Sequence, residues 1–107
     1  MQRMGHVIGL RPEHIVEYKR LHAAVWPEVL AMIARCNIRN YSIFSFGEQL
    51  FAYFEYVGDD FAADMARMAA DPETQRWWDV MMPMQQPLDG RAEGEWWASM
   101  VEVFHTE

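Results

Sequence analysis

The sequence predicts one α+β domain, residues 1–107, in which an antiparallel β-sheet carries helices on one face. Three observations lead there. Strand-like and helix-like segments follow one another in the order β-α-β-β-α-α-β, and two aromatic-rich runs flank a short turn, which is how a hairpin reads. The hydrophobic content of 51%, with 14% aromatic, is high for 107 residues, so the open face of the sheet is expected to be covered by a second copy of the chain.

The elements can be justified in order. Gly5 to Leu10, "GHVIGL", is a short apolar run ahead of Arg11-Pro12, which suits a strand ending where a helix starts. From Pro12 to about Arg35 the pattern is helical: at about 100° per residue, Ile15, Tyr18, His22, Val25, Val29 and Met32 share one broad stripe, away from Glu17, Lys19 and Arg20. Pro27 removes a backbone hydrogen bond and crowds the preceding turn, so a bend near Trp26 or two abutting helices are expected.

"NYSIFSF", Asn40 to Phe46, and "LFAYFEYV", Leu50 to Val57, are aromatic and β-branched runs separated by Gly47-Glu48-Gln49. They predict a hairpin whose two-sided apolar character, with Phe44, Phe46, Phe51, Tyr53 and Tyr56, calls for packing on both faces. Two short helices follow, "GDDFAADMARMAA" and "DPETQRWWDVMM", the second with Asp71 as N-cap and Pro72 at its first position. Pro83 to about Trp96 holds two Pro and two Gly and reads as a long loop, functional or mobile. "ASMVEVFH" is expected to close the chain as a strand. The whole order is the split βαβ, or ferredoxin-like, pattern.

Composition narrows the function. A net charge of −7 with nine scattered Lys and Arg residues argues against nucleic-acid or anionic-membrane partners, which require a basic face. No apolar run approaches the roughly 20 residues that cross a bilayer. The lone Cys36 forms no internal disulfide, and the N-terminus has no leader pattern, so a cytoplasmic location is expected. His6, His14, His22 and His105 lack close metal-ligand spacing, and there is no glycine-rich phosphate loop or nucleophile elbow, so neither metal nor cofactor is expected. The methionines at helical spacing, Met32, Met65, Met68 and Met81, suit gaps in a core or dimer interface.

Tyr18 and His22 stand at i and i+4, so their Cβ atoms lie about 5–6 Å apart and both polar ends reach one cavity. Both residue types also fill cores, hydrogen-bonded to backbone. Trp77 and Trp78 lie about 100° apart on their helix, so at most one points squarely into a pocket. An indole face beside hydroxyl donors and acceptors suits a pyranose, which offers apolar C–H patches and polar edges. Carbohydrate is therefore a candidate ligand.

Tyr18-x-x-x-His22, then Trp26-Pro27-Glu28, Asn40-Tyr41, Gln75-Arg76-Trp77-Trp78 and the closing Val101-Glu102-Val103-Phe104 together resemble the L-rhamnose mutarotase family over most of the chain. The resemblance implies a dimeric ferredoxin-like fold, the dimeric α/β barrel, and cofactor-free interconversion of the anomers of L-rhamnose or a related 6-deoxy sugar. It also implies His22 as proton donor, Tyr18 in a supporting catalytic role, and Tyr18, Tyr41, Trp77 and Trp78 as substrate contacts. Ala23-Ala24 and the Pro83 to Trp96 loop depart from the family pattern, and both bear on sugar selectivity. Two other functions fit the same residues: a small ferredoxin-like monooxygenase acting on an aromatic substrate, and a dimeric sugar-binding module without catalysis.

Overall fold

The computed structural model describes residues 1–107 and gives the α+β architecture expected. Strand β1 (Gln2–Leu10) is followed by a 3-10 turn (Pro12–His14), α1 (Ile15–His22) and α2 (Pro27–Arg35). The hairpin β2 (Ile38–Phe46) and β3 (Gln49–Tyr56) comes next, then α3 (Phe61–Ala70) and α4 (Pro72–Met81). A second 3-10 turn (Met82–Met84) leads to β4 (Gln85–Gln86), and β5 is Ala98–Met100. No helix is long and apolar enough to cross a membrane.

The sheet is antiparallel in the order β2-β3-β1, and β4 and β5 both pair with the remaining edge of β1. In the β1–β3 register Ile8 faces Leu50, His6 faces Ala52 and Met4 faces Phe54. Residues directly opposite share a face, so these six point toward the helices, while Val7, Phe51, Tyr53 and Phe44 point the other way. The main core lies between sheet and helices, built on Ile8, Leu10, Leu50, Val29, Trp77 and Met81. A smaller cluster of Cys36, Ile38, Phe54 and Met68 holds α2 and α3 to the sheet, with Met32 and Met65 packed against it.

The helical stretch resolves into two helices rather than one bent one. Trp26 takes an extended conformation (ψ 132°), as the residue before a proline prefers, and Pro27 opens α2. Asn37 ends α2 with a positive φ of 64° and donates to Asp64 on α3 at 3.0 Å. Asp60 caps α3 through Ala63 N–H at 3.1 Å, and Asp71 caps α4 through both the N–H and the hydroxyl of Thr74. These contacts fix the helix entries that present one face to the sheet.

Several boundaries differ from the sequence reading, including the start of β2, which is Ile38 rather than Asn40, and the end of β3, which is Tyr56 rather than Val57. The first strand starts at Gln2, because β3 is long enough to pair with all of it. The hairpin turn is Gly47-Glu48, with Gly47 at a positive φ of 58°, and Gln49 joins β3. The stretch read as loop opens with a 3-10 turn and β4, which is held by pairing of Gly9 with Gln86 and Leu10 with Gln85. A Cβ on Gly9 would lie 2.5 Å from the Gln86 carbonyl oxygen, so glycine is what allows this approach. The last strand stops at Met100: Arg3 reaches Glu102 through an ion pair, but no backbone ladder continues, and Val101, Val103 and Phe104 are exposed. Those side chains find no apolar surface within their own chain.

Candidate active site

Helix α1 brings Tyr18 and His22 into ring contact, with centroids 4.2 Å apart. Trp77, from α4, meets the His22 ring edge-on at 5.3 Å and Trp26 at 5.0 Å. Along α4, Thr74, Trp77 and Met81 form the buried stripe, so Trp77 is only 6% exposed while Trp78, about 100° round the helix, is 36% exposed. Trp78 stands outside this ring cluster.

Tyr41 arrives from the sheet. The β2–β3 register shifts between Arg39 and Ser42, and Asn40 takes a positive φ of 51°. This bulge turns Tyr41 onto the helix-facing side, where its ring lies 5.4 Å from that of Phe54. The bulge is pinned by Asn40 donating to Glu55 at 2.7 Å, with Tyr53 donating to the same carboxylate at 2.8 Å. Tyr41 as a whole is 41% exposed, yet burial raises its phenol pKa.

The electrostatics assign a protonation state to each group. Burial pushes Tyr18 up to about 12, with repulsion from Tyr41 adding to the rise and a hydrogen bond from Gln85 opposing it, so Tyr18 is a neutral phenol and a poor base at pH 7. Burial lowers His22, opposed by its bond to the Tyr18 backbone. His22 Nδ1 lies 2.9 Å from the Tyr18 carbonyl oxygen, which only accepts, so Nδ1 carries the proton and neutral His22 offers the lone pair of Nε2. The structure therefore joins Tyr18, His22 and Trp77 directly, while Tyr41 packs on Phe54 on the same face of the sheet.

Three participants escaped the sequence reading. Gln85, 4% exposed, donates to the Tyr18 hydroxyl at 3.1 Å and accepts from the Trp96 indole at 2.8 Å. Both lie in the stretch read as loop, where no periodicity marks either residue. His6, weighed only as a metal ligand, sits on the helix-facing side of β1 stacked on Phe54 at 5.6 Å. Burial lowers its pKa, with Glu95 opposing. No three His, Cys, Asp or Glu side chains converge as a metal would require.

A profile described as L-rhamnose mutarotase matches residues 3–106, nearly the full chain. The chain belongs to the L-rhamnose mutarotase family. Members of this family are isomerases, and the chain is a mutarotase. It is 29% identical over 109 residues, covering all of both chains, to an L-rhamnose mutarotase of Oceanobacillus iheyensis. It is also 37% identical over 110 residues to an L-fucose mutarotase of Xanthomonas campestris pv. campestris, covering 97% of this chain and 87% of that protein. Among solved structures, an L-rhamnose mutarotase from Formosa agariphila superposes with a TM-score of 0.79 at 25% identity, covering all of both chains. A tetracenomycin F2 cyclase from Streptomyces glaucescens superposes with a TM-score of 0.65 at 15% identity, which places it in the same fold only.

Proposed function

We propose that the chain interconverts the α and β anomers of a 6-deoxy-L-sugar, with L-rhamnose and L-fucose the first candidates, and that His22 moves the proton. The observation that carries this reading is the His22 tautomer. With Nδ1–H held by the Tyr18 carbonyl, Nε2 is the free nitrogen in a cluster that also holds the Tyr18 phenol and the Trp77 indole.

Ring opening requires the anomeric hydroxyl to lose its proton, the C1–O5 electron pair to move to O5, and O5 to gain a proton. The aldehyde then turns about C1–C2 and the steps reverse on its other face. No net proton or electron is consumed. Neutral His22 accepts the O1 proton at Nε2 and, as imidazolium, donates it to O5; both oxygens are bonded to C1 and face one nitrogen in turn. His22 thus acts as proton donor after loading from the substrate itself. Tyr18 orients the sugar as a supporting residue, Tyr41 offers a second hydroxyl, and Trp77, at the edge of the His22 ring, supplies an apolar wall for the C–H face or the C6 methyl. Trp78 is assigned the outer rim, on its exposure.

Exchange between the two H1 signals of L-rhamnose, and separately of L-fucose, followed by saturation-transfer NMR, tests the reading. The protein is expected to accelerate exchange of at least one sugar, and acceleration of neither would refute it. Because His22 must start neutral, the rate is expected to hold from pH 8 to pH 7 and to decline as pH falls below about 6.5, its ordinary value. The stability sign agrees: burial depresses His22 and His6 in the folded state, so their contribution is complete above the unfolded value and disappears as pH falls through the folded one. A rate that rises on acidification would mean that solvent-supplied imidazolium is the resting acid.

A homodimer through the outer sheet face completes the reading. Phe44, Phe46 and Met100 are exposed there, beside the apolar tail of Val101, Val103 and Phe104. Sedimentation velocity at micromolar concentration is expected to give twice the chain mass, and Phe46→Glu to shift it toward monomer. A well-folded wild-type monomer at every concentration would contradict the dimer. A cytoplasmic location fits a single cysteine, Cys36, that is buried and unpaired.

A further inference from the structure

We infer that Trp96 and Gln85 are positioning residues that fix Tyr18 as a hydrogen-bond donor to the substrate. The inference rests on the mutarotase site proposed above and assigns a polarity to one of its groups. An indole N–H only donates, so the Gln85 atom 2.8 Å from Trp96 Nε1 must be the carbonyl oxygen. That choice leaves the Gln85 NH2 facing the Tyr18 hydroxyl at 3.1 Å, and an NH2 only donates. Tyr18 therefore accepts from Gln85 through its oxygen, and its own O–H donates to no group within the chain. The phenol proton is left for a ligand.

The three groups come from distant parts of the chain. Tyr18 belongs to α1, Gln85 to β4 and Trp96 to the segment just before β5, and Tyr18 and Gln85 are both buried. A buried amide with both ends engaged does not flip freely, because reversal would set donor against donor at Trp96. The pKa of about 12 agrees with a phenol that gives a hydrogen bond and keeps its proton. A donor aimed at the sugar favours an oxygen that gains negative charge as C1–O5 breaks.

Trp96→Phe keeps an aromatic ring and removes only the N–H, and Gln85→Met keeps length and removes the relay. Each is expected to slow anomer exchange about three- to tenfold, the effect of one hydrogen bond. On a Tyr18→Phe background neither should slow it further, since the group they orient is gone. Losses of equal size with and without the Tyr18 hydroxyl would overturn the inference, as would unchanged rates in both single variants. A second readout needs no activity: in sugar-free protein, nuclear Overhauser contacts from the Gln85 NH2 to the Tyr18 ring are expected in wild type and weakened in Trp96→Phe. Contacts that follow this pattern in a protein exchanging no sugar would refute the mutarotase site while upholding the polarity. Contacts identical in both proteins would refute the polarity alone.

Discussion

His22→Ala is expected to slow anomer exchange by roughly 10²- to 10³-fold, within the range that general acid–base catalysis typically supplies. Sugar affinity should change far less, because the proton moves mainly in the transition state. Each factor of ten corresponds to about 1.4 kcal/mol of barrier, so the loss is large beside any packing change at a half-buried ring. Saturation transfer gives the rate, and ligand-observed titration gives the affinity. Tyr18→Phe should cost less, since it removes an orienting hydroxyl and leaves Nε2 of His22 in place. If folded, dimeric His22→Ala exchanges anomers at the wild-type rate, His22 is a stacking residue and the proton route lies elsewhere.

Trp77→Ala is expected to act first on stability. Trp77 is almost fully buried, packed edge-on against both His22 and Trp26, and its removal should cost about 3–5 kcal/mol. Domains of this size are stable by about 5–15 kcal/mol, so the denaturant midpoint should fall steeply. Trp78→Ala, at an exposed position, should stay within about 0.5 kcal/mol in stability, so any loss it causes should appear as weaker sugar binding. Urea unfolding of both variants separates the two roles. Equal midpoints would show that α4 tolerates a cavity at Trp77 and that its packing on His22 is dispensable to the fold.

Much of this was legible in the sequence because it follows local rules. Asp71-Pro72 marks a helix start whatever surrounds it, and Pro27 breaks a helix for reasons carried in its own ring. The i, i+4 spacing of Tyr18 and His22 on an apolar stripe puts both on one face, and the structure stacks them. What stayed hidden depends on distant pairing. Strand β4 is two residues long and exists because Gly9 and Leu10 offer it an edge. Tyr41 faces inward because the ladder slips between Arg39 and Ser42, and nothing in "RNYS" announces that slip. The choice between Trp77 and Trp78 likewise needs to know which stripe of α4 meets the core. Only the assembled sheet answers that.

The strand edge beside the site is made from two separate pieces of chain. Residues 87–97 leave β1 after Gln86 and rejoin it at Ala98, so the sheet does not dictate how many residues lie between. Doubling such a span costs only about 0.6 kcal/mol of closure entropy, whereas shifting α1 would disrupt the core around Tyr18. Evolution can thus lengthen, shorten or rewrite the rim between Pro87 and Gly94 while Trp96, anchored on Gln85, still marks where the excursion ends. The length and sequence of this excursion are thus mechanically uncoupled from the placement of Tyr18 and His22, so a change in one need not disturb the other.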